Sequence, residues 1–117
     1  MKTEVWVSYS YGGTSLVFSK EFQLPFAPFF GMQITIDKDG ENYISLDNDD
    51  YTYTVIQYDP FEDCFLVNVR NTWKRPVTEQ TVDEVLEQFS KWKRQDSSNI
   101  QELKDLMKRN YEEQNRR

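Results

Sequence analysis

Apolar residues recur at every second position up to about residue 73 of this chain, and at every third or fourth position after it. A period of two sends alternate side chains to opposite faces of a strand, and a period near 3.6 lays them along one stripe of a helix. The first part is therefore predicted to build a sheet and the last part helices. In Thr3–Ser10, Val5, Val7 and Tyr9 share one face, with Glu4, Trp6 and Ser8 on the other. Tyr11-Gly12-Gly13-Thr14 follows as a hairpin turn, because glycine takes positive φ at little steric cost. In Ser15–Leu24, the residues Leu16, Phe18, Phe22 and Leu24 alternate with Val17, Ser19, Glu21 and Gln23, and Lys20 interrupts the apolar side.

Pro25-Phe26-Ala27-Pro28-Phe29-Phe30-Gly31 then breaks the ladder. Its two prolines lack N–H donors and restrict the residues before them. The rings are expected to plug one end of the sheet structure. Alternation resumes in Met32–Asp37, Tyr43–Leu46, Tyr51–Tyr58 and Phe65–Asn71. The turns between carry Asp, Asn, Gly and Pro, residues that close turns through side-chain hydrogen bonds or special φ. Lys38-Asp39-Gly40-Glu41-Asn42 is one such turn and Asp59-Pro60-Phe61-Glu62-Asp63 another.

Past Pro76 the stripe Val82, Val85, Leu86, Phe89 and Trp92 marks one helix. Thr81-Val82-Asp83-Glu84 reads as its capping box, with acidic residues early and Lys91, Lys93 and Arg94 late, complementing the helix dipole. Ser98, with Gln101 three residues on, is expected to cap a second helix striped by Ile100, Leu103, Leu106, Met107 and Tyr111, with a polar tail that frays. The expected fold class is α+β: a six-stranded antiparallel meander or small barrel followed by two C-terminal helices. A length of 117 residues suits a single domain over 1–117, β-rich in 1–73 and helical in 77–113. With 15% aromatic residues the chain has the material for a core, which disordered segments lack.

Charge and composition narrow the function classes. Residues 1–73 hold four basic and eleven acidic residues, a net of −7, so the strand part is the acidic part. That balance argues against nucleic acid or an anionic membrane surface as partner, since phosphate contacts need clustered Lys and Arg. It suits a basic protein partner. The single cysteine, Cys64, allows no internal disulfide, and no apolar run approaches a membrane span, which together suggest a cytoplasmic home.

The chain contains no histidine, so neither a Cys–His pair nor a His/Cys zinc site is expected within it. No glycine-rich turn precedes a helix as a phosphate loop would require. Carboxylates cluster at Asp37, Asp39, Glu41, Asp47, Asp49 and Asp50, but the calcium-loop spacing fails: counted from Asp37, Asn42 stands where glycine is needed and Asn48 where glutamate is needed. No metal, cofactor or catalytic residue is therefore assigned.

The aromatic residues offer more. Tyr51, Tyr53, Tyr58 and Trp73, with Asp47, Asp49 and Asp50, form the expected partner-binding set, because Tyr and Trp are enriched where surfaces meet partners. Trp73-Lys74-Arg75-Pro76 is the one compact basic-aromatic group and is read as a cover for a sheet edge. An alternative set, Phe22, Phe26, Phe29 and Phe30, would line a ligand pocket in a barrel. The narrow stripe of the last helix also suits self-association as a homo-oligomer.

The Leu24–Phe29 run, the Trp73–Pro76 group and the short capped-helix tail together resemble small proteins of bacteria and their mobile elements. That likeness names no family and transfers no functional residue. The leading expectation is a non-enzymatic, acidic protein-binding module, inhibitor-like, immunity-like or an adaptor. A small-ligand-binding β-barrel is the alternative, and a carboxylate-dependent enzyme ranks last.

Overall fold

A computed structural model describes residues 1–37, 40–73 and 78–115. Its elements are β1 (Lys2–Tyr11), β2 (Thr14–Gln23), β3 (Gln33–Thr35), β4 (Tyr43–Ser45), β5 (Thr52–Asp59), β6 (Cys64–Thr72), α1 (Glu79–Gln88), β7 (Lys93–Arg94) and α2 (Ile100–Asn115). The chain is α+β, with all six expected strands present, but the sheet is neither a closed barrel nor a meander. Five strands form an open mixed sheet in the order β5-β6-β1-β2-β7, and β3-β4 form a separate antiparallel pair.

The hairpin β1–β2 is the one the Gly12-Gly13 pair predicts, with Tyr11 opposite Thr14 and positive φ at both glycines, +54° and +84°. The departure from a meander comes next. β6 returns to the other side of β1 and runs parallel to it, with Val5 opposite Val67 and Val7 opposite Val69. Alternation specifies which face of a strand is buried and says nothing about which strand lies beside it. The matching valines decide this pairing, because they continue one apolar face across three strands.

That face carries Val5, Val7, Leu16, Phe18, Val67 and Val69, all essentially buried. Val82, Val85 and Phe89 cover it from α1 and the turn after it, with Trp92 beside them and Leu103 and Met107 added from α2. Ile34, Ile44 and Leu46 of the β3–β4 arm belong to the same cluster. Strand part and helical part thus share one core.

Several boundaries move from the sequence expectation. Helix α1 begins at Glu79 after an N-cap at Thr78, so Thr81 lies inside the helix and its hydroxyl meets that of Thr78 at 3.3 Å. The helix stops at Gln88, and Lys91, Lys93 and Arg94 lie beyond it rather than in its last turn. Phe89 and Trp92 still reach the core from the turn that follows, and Lys93–Arg94 form β7 against Phe18 and Ser19. Asn99, not Ser98, caps α2: its Oδ1 accepts from the Glu102 amide at 3.1 Å. Ser98 instead donates to the Ser15 carbonyl at 2.7 Å. Helical order continues past Tyr111 to Asn115.

Tyr9 links the sheet to the helical layer, with ring centroids 5.3 Å from Trp73 and 6.0 Å from Phe89. Burial pushes its phenol from 10.0 up to about 12. The folded state therefore holds this proton more tightly than the unfolded chain. The associated stability is complete below pH 10.0 and is lost as pH rises toward about 12. The loss is on the order of 2–3 kcal/mol. Urea denaturation at stepped alkaline pH should show it in the wild type, and Tyr9→Phe should lack that portion.

Candidate functional site

The β5–β6 hairpin ends in a loop shaped by its own carboxylates. Asp59 Oδ1 accepts from the Phe61 amide at 3.0 Å and from the Glu62 amide at 3.4 Å. Asp63 takes φ of +47°, a left-handed conformation that aspartate tolerates better than most residues. This arrangement lifts Phe61 off the protein, leaving it 96% exposed. Tyr58 lies beside the loop, against Phe65 at 5.0 Å, and its hydroxyl donates to Asp63 Oδ1 at 2.6 Å. Donation to that carboxylate holds the Tyr58 phenol above its ordinary value.

The other end of β5 is shaped by residues 47–50. Asp49 Oδ1 accepts from the Tyr51 and Thr52 amides, both at 2.7 Å. Asp47 offers its carbonyl to the Thr54 hydroxyl at 2.7 Å, and Asp50 is exposed. From Asp47 to Asp63 the chain carries six carboxylates and no lysine or arginine. Tyr53 and Tyr58 are exposed, but alternation along β5 sends them to opposite faces of the sheet. Tyr51, also about half exposed, precedes the strand on the Tyr53 side. The expected tyrosine–aspartate set is thus brought onto one hairpin without forming a single flat face.

Trp73 stands elsewhere. It is half-buried against Tyr9 and packs on the core, while Lys74, Arg75 and Pro76 lie outside the described residues. The four phenylalanines are also divided. Phe22 is half-buried, edge-on to Trp92 at 5.6 Å with the Lys20 ammonium 5.5 Å from its centroid. Phe26, Phe29 and Phe30 are each half exposed, with Phe26 and Phe29 leaning together at 6.0 Å. They do not plug the sheet, because it is open and its apolar face is filled by the helices and the β3–β4 arm.

A solvent-open groove of about 600 Å³ runs between the β3–β4 arm and α1. Asp37, Glu41, Glu84 and Glu87 line it with Lys20 and Lys91. The Asn42 side-chain amide donates to Asp37 Oδ2 at 2.7 Å, and this hydrogen bond holds the Asp37 carboxyl below the usual range. Lys38 and Asp39 of the expected turn and acidic cluster lie outside the described residues. Among the described residues no three acidic or cysteine side chains converge as metal ligands, and Cys64 is buried with a free thiol. No described helix is long and apolar enough to cross a membrane.

Sequence reading passed over Phe61 as part of a turn. The available signal was a large apolar ring between Pro60 and Glu62, where turn formation asks only for Asp, Pro and a left-handed residue. The comparisons add no relative to this geometry: no family model, no curated protein and no solved structure matches this chain.

Proposed function

We infer that this protein is a non-enzymatic binding module that engages a basic protein partner through the β5–β6 hairpin and the acidic segment before it. The observation that carries the reading is Phe61, held out by Asp59 and Asp63 at 96% exposure among carboxylates. An exposed phenylalanine contributes nothing to the fold, and burying one against a partner is worth about 1.5–3 kcal/mol. Tyr53 and Tyr58 extend the anchor along the strand, and the six carboxylates supply long-range attraction and orientation. A reducing, cytoplasmic setting suits a chain whose one thiol is buried and unpaired.

The reading is tested with a photo-crosslinking residue at position 61 and, as a control, at exposed Glu112. In an extract of the native host, position 61 should give a discrete adduct that excess wild type competes away. Phe61→Ala should compete at least tenfold more weakly, the equivalent of about 1.4 kcal/mol. Equal competition by the alanine variant would remove Phe61 from the interface and the reading with it.

A further inference from the structure

Backbone pairing along β5 shows a second feature of the same hairpin. Thr72 donates its amide to the Tyr51 carbonyl at 2.8 Å, so Tyr51 and Thr72 face each other as a bonded pair. Antiparallel ladders alternate bonded and non-bonded pairs. The register places Tyr53, Val55, Gln57 and Asp59 in the bonded positions and turns the amides and carbonyls of Thr52, Thr54, Ile56 and Tyr58 away from β6. Contacts at the first two agree with this. The Thr52 carbonyl accepts from the Asp49 amide at 2.9 Å, and the Thr54 amide donates to Asn48 Oδ1 at 2.6 Å.

The protein covers its sheet edges with care elsewhere. The outer edge of β2 is occupied by β7, by the Gln95 amide on the Val17 carbonyl at 2.8 Å, and by Asp96 Oδ1 on the Val17 amide at 2.9 Å. The first half of β5 is occupied by residues 47–49. Among the described residues, nothing engages the outward amide and carbonyl of Ile56 or the outward amide of Tyr58. An open edge of this kind is a template for an added strand.

We propose that the Ile56–Tyr58 edge of β5 accepts an extended basic segment of the partner as an additional β-strand. Charge selects this occupant over a second copy of the chain. An antiparallel pair of β5 strands would lay the Asp59, Glu62 and Asp63 loop of each copy beside Asp47, Asp49 and Asp50 of the other, carboxylates against carboxylates, at the end where residues 48 and 49 already engage Thr52 and Thr54. A strand bearing Lys or Arg meets six carboxylates and no opposing cation between Asp47 and Asp63. The inference rests on the binding-module reading and adds to it the partner's backbone conformation and charge.

The probe is a short peptide of alternating lysine and valine, paired with a version N-methylated at every residue. Both carry the same charge, but the methylated peptide cannot donate along either edge. The unmodified peptide should shift the Ile56 and Tyr58 amide resonances of the wild type and slow their hydrogen exchange, and the methylated peptide should bind at least tenfold more weakly. Tyr58→Pro removes an outward N–H and leaves the bonded pairs to β6 in place; Tyr58→Ala keeps that N–H and removes the ring. Both variants lack the ring, so the proline variant should bind the peptide about tenfold more weakly than the alanine variant, the worth of one hydrogen bond. Equal binding of the two peptides to the wild type overturns the inference, as does the absence of any shift at millimolar peptide. If the crosslink through position 61 survives that result, the binding module stands and only strand addition falls.

Discussion

Phe89→Ala is expected to lower the unfolding free energy by about 3–5 kcal/mol, a large share of what a domain of this size possesses. Phe89 is 1% exposed and lies just past the end of α1. Its ring stacks on Phe18 of β2 at 4.8 Å and 15°, and meets Trp92 edge-on at 5.0 Å and 86°. It also meets Tyr9 of β1 edge-on at 6.0 Å. One side chain thus ties the turn after α1 to two strands. Truncation leaves a cavity that Phe18 and Trp92 cannot close without leaving their own contacts. Urea denaturation followed by tryptophan fluorescence measures the loss. Phe89→Leu, which refills most of the volume, should cost less than half as much. A loss below about 1 kcal/mol for the alanine variant would contradict the packing described.

Asp96→Ala is expected to cost about 2–4 kcal/mol, although the residue is polar and lies between elements. Its side chain is 6% exposed. The carboxylate accepts from the Arg94 guanidinium at 2.7 Å, the Val17 amide at 2.9 Å and the Ser98 amide at 3.1 Å. Removing it leaves the Val17 and Ser98 amides without partners and frees the segment that closes the β2 edge. Burial alone raises this carboxyl's pKa, but Arg94 and the two amides outweigh burial and hold it below its ordinary value of 3.8. A depressed folded-state pKa means that the stabilisation is complete above the unfolded value and is lost as pH falls below it. The wild type should therefore lose this part of its stability in acid below about pH 4, and Asp96→Asn should show a flatter acid limb. Calorimetric melting across that range, for wild type and both variants, separates the charge from the hydrogen bonds.

The exposed residues of the proposed interface were partly legible in the sequence. Tyr53 and Tyr58 stand exposed as an aromatic-rich strand suggests, and Asp47, Asp49 and Asp50 lie at its start. Trp73 carried the same residue-type signal and turned inward onto Tyr9, because nothing local distinguishes a tryptophan that finishes a core from one that awaits a partner. Phe61 went the other way. Its exposure follows from the Asp59 and Asp63 geometry of the loop, which composition does not encode. The edge at Ile56 and Tyr58, open among the described residues, lay beyond sequence reading altogether, since it depends on which other segments pair there.

Local patterns determined the elements. Alternation set the faces of β1, β2, β5 and β6, Gly12-Gly13 set the first hairpin, and the helical stripes brought Val82, Val85, Leu103 and Met107 to the core. These are short-range consequences of side-chain period and allowed φ, complete within a few residues. Tertiary structure alone decided that β6 lies parallel to β1, that β3–β4 leave the sheet, that α1 stops before Phe89 and that Lys93–Arg94 become an edge strand. Each of these depends on which apolar surfaces meet across the chain. That choice is made by burial summed over distant residues, and no local window contains it.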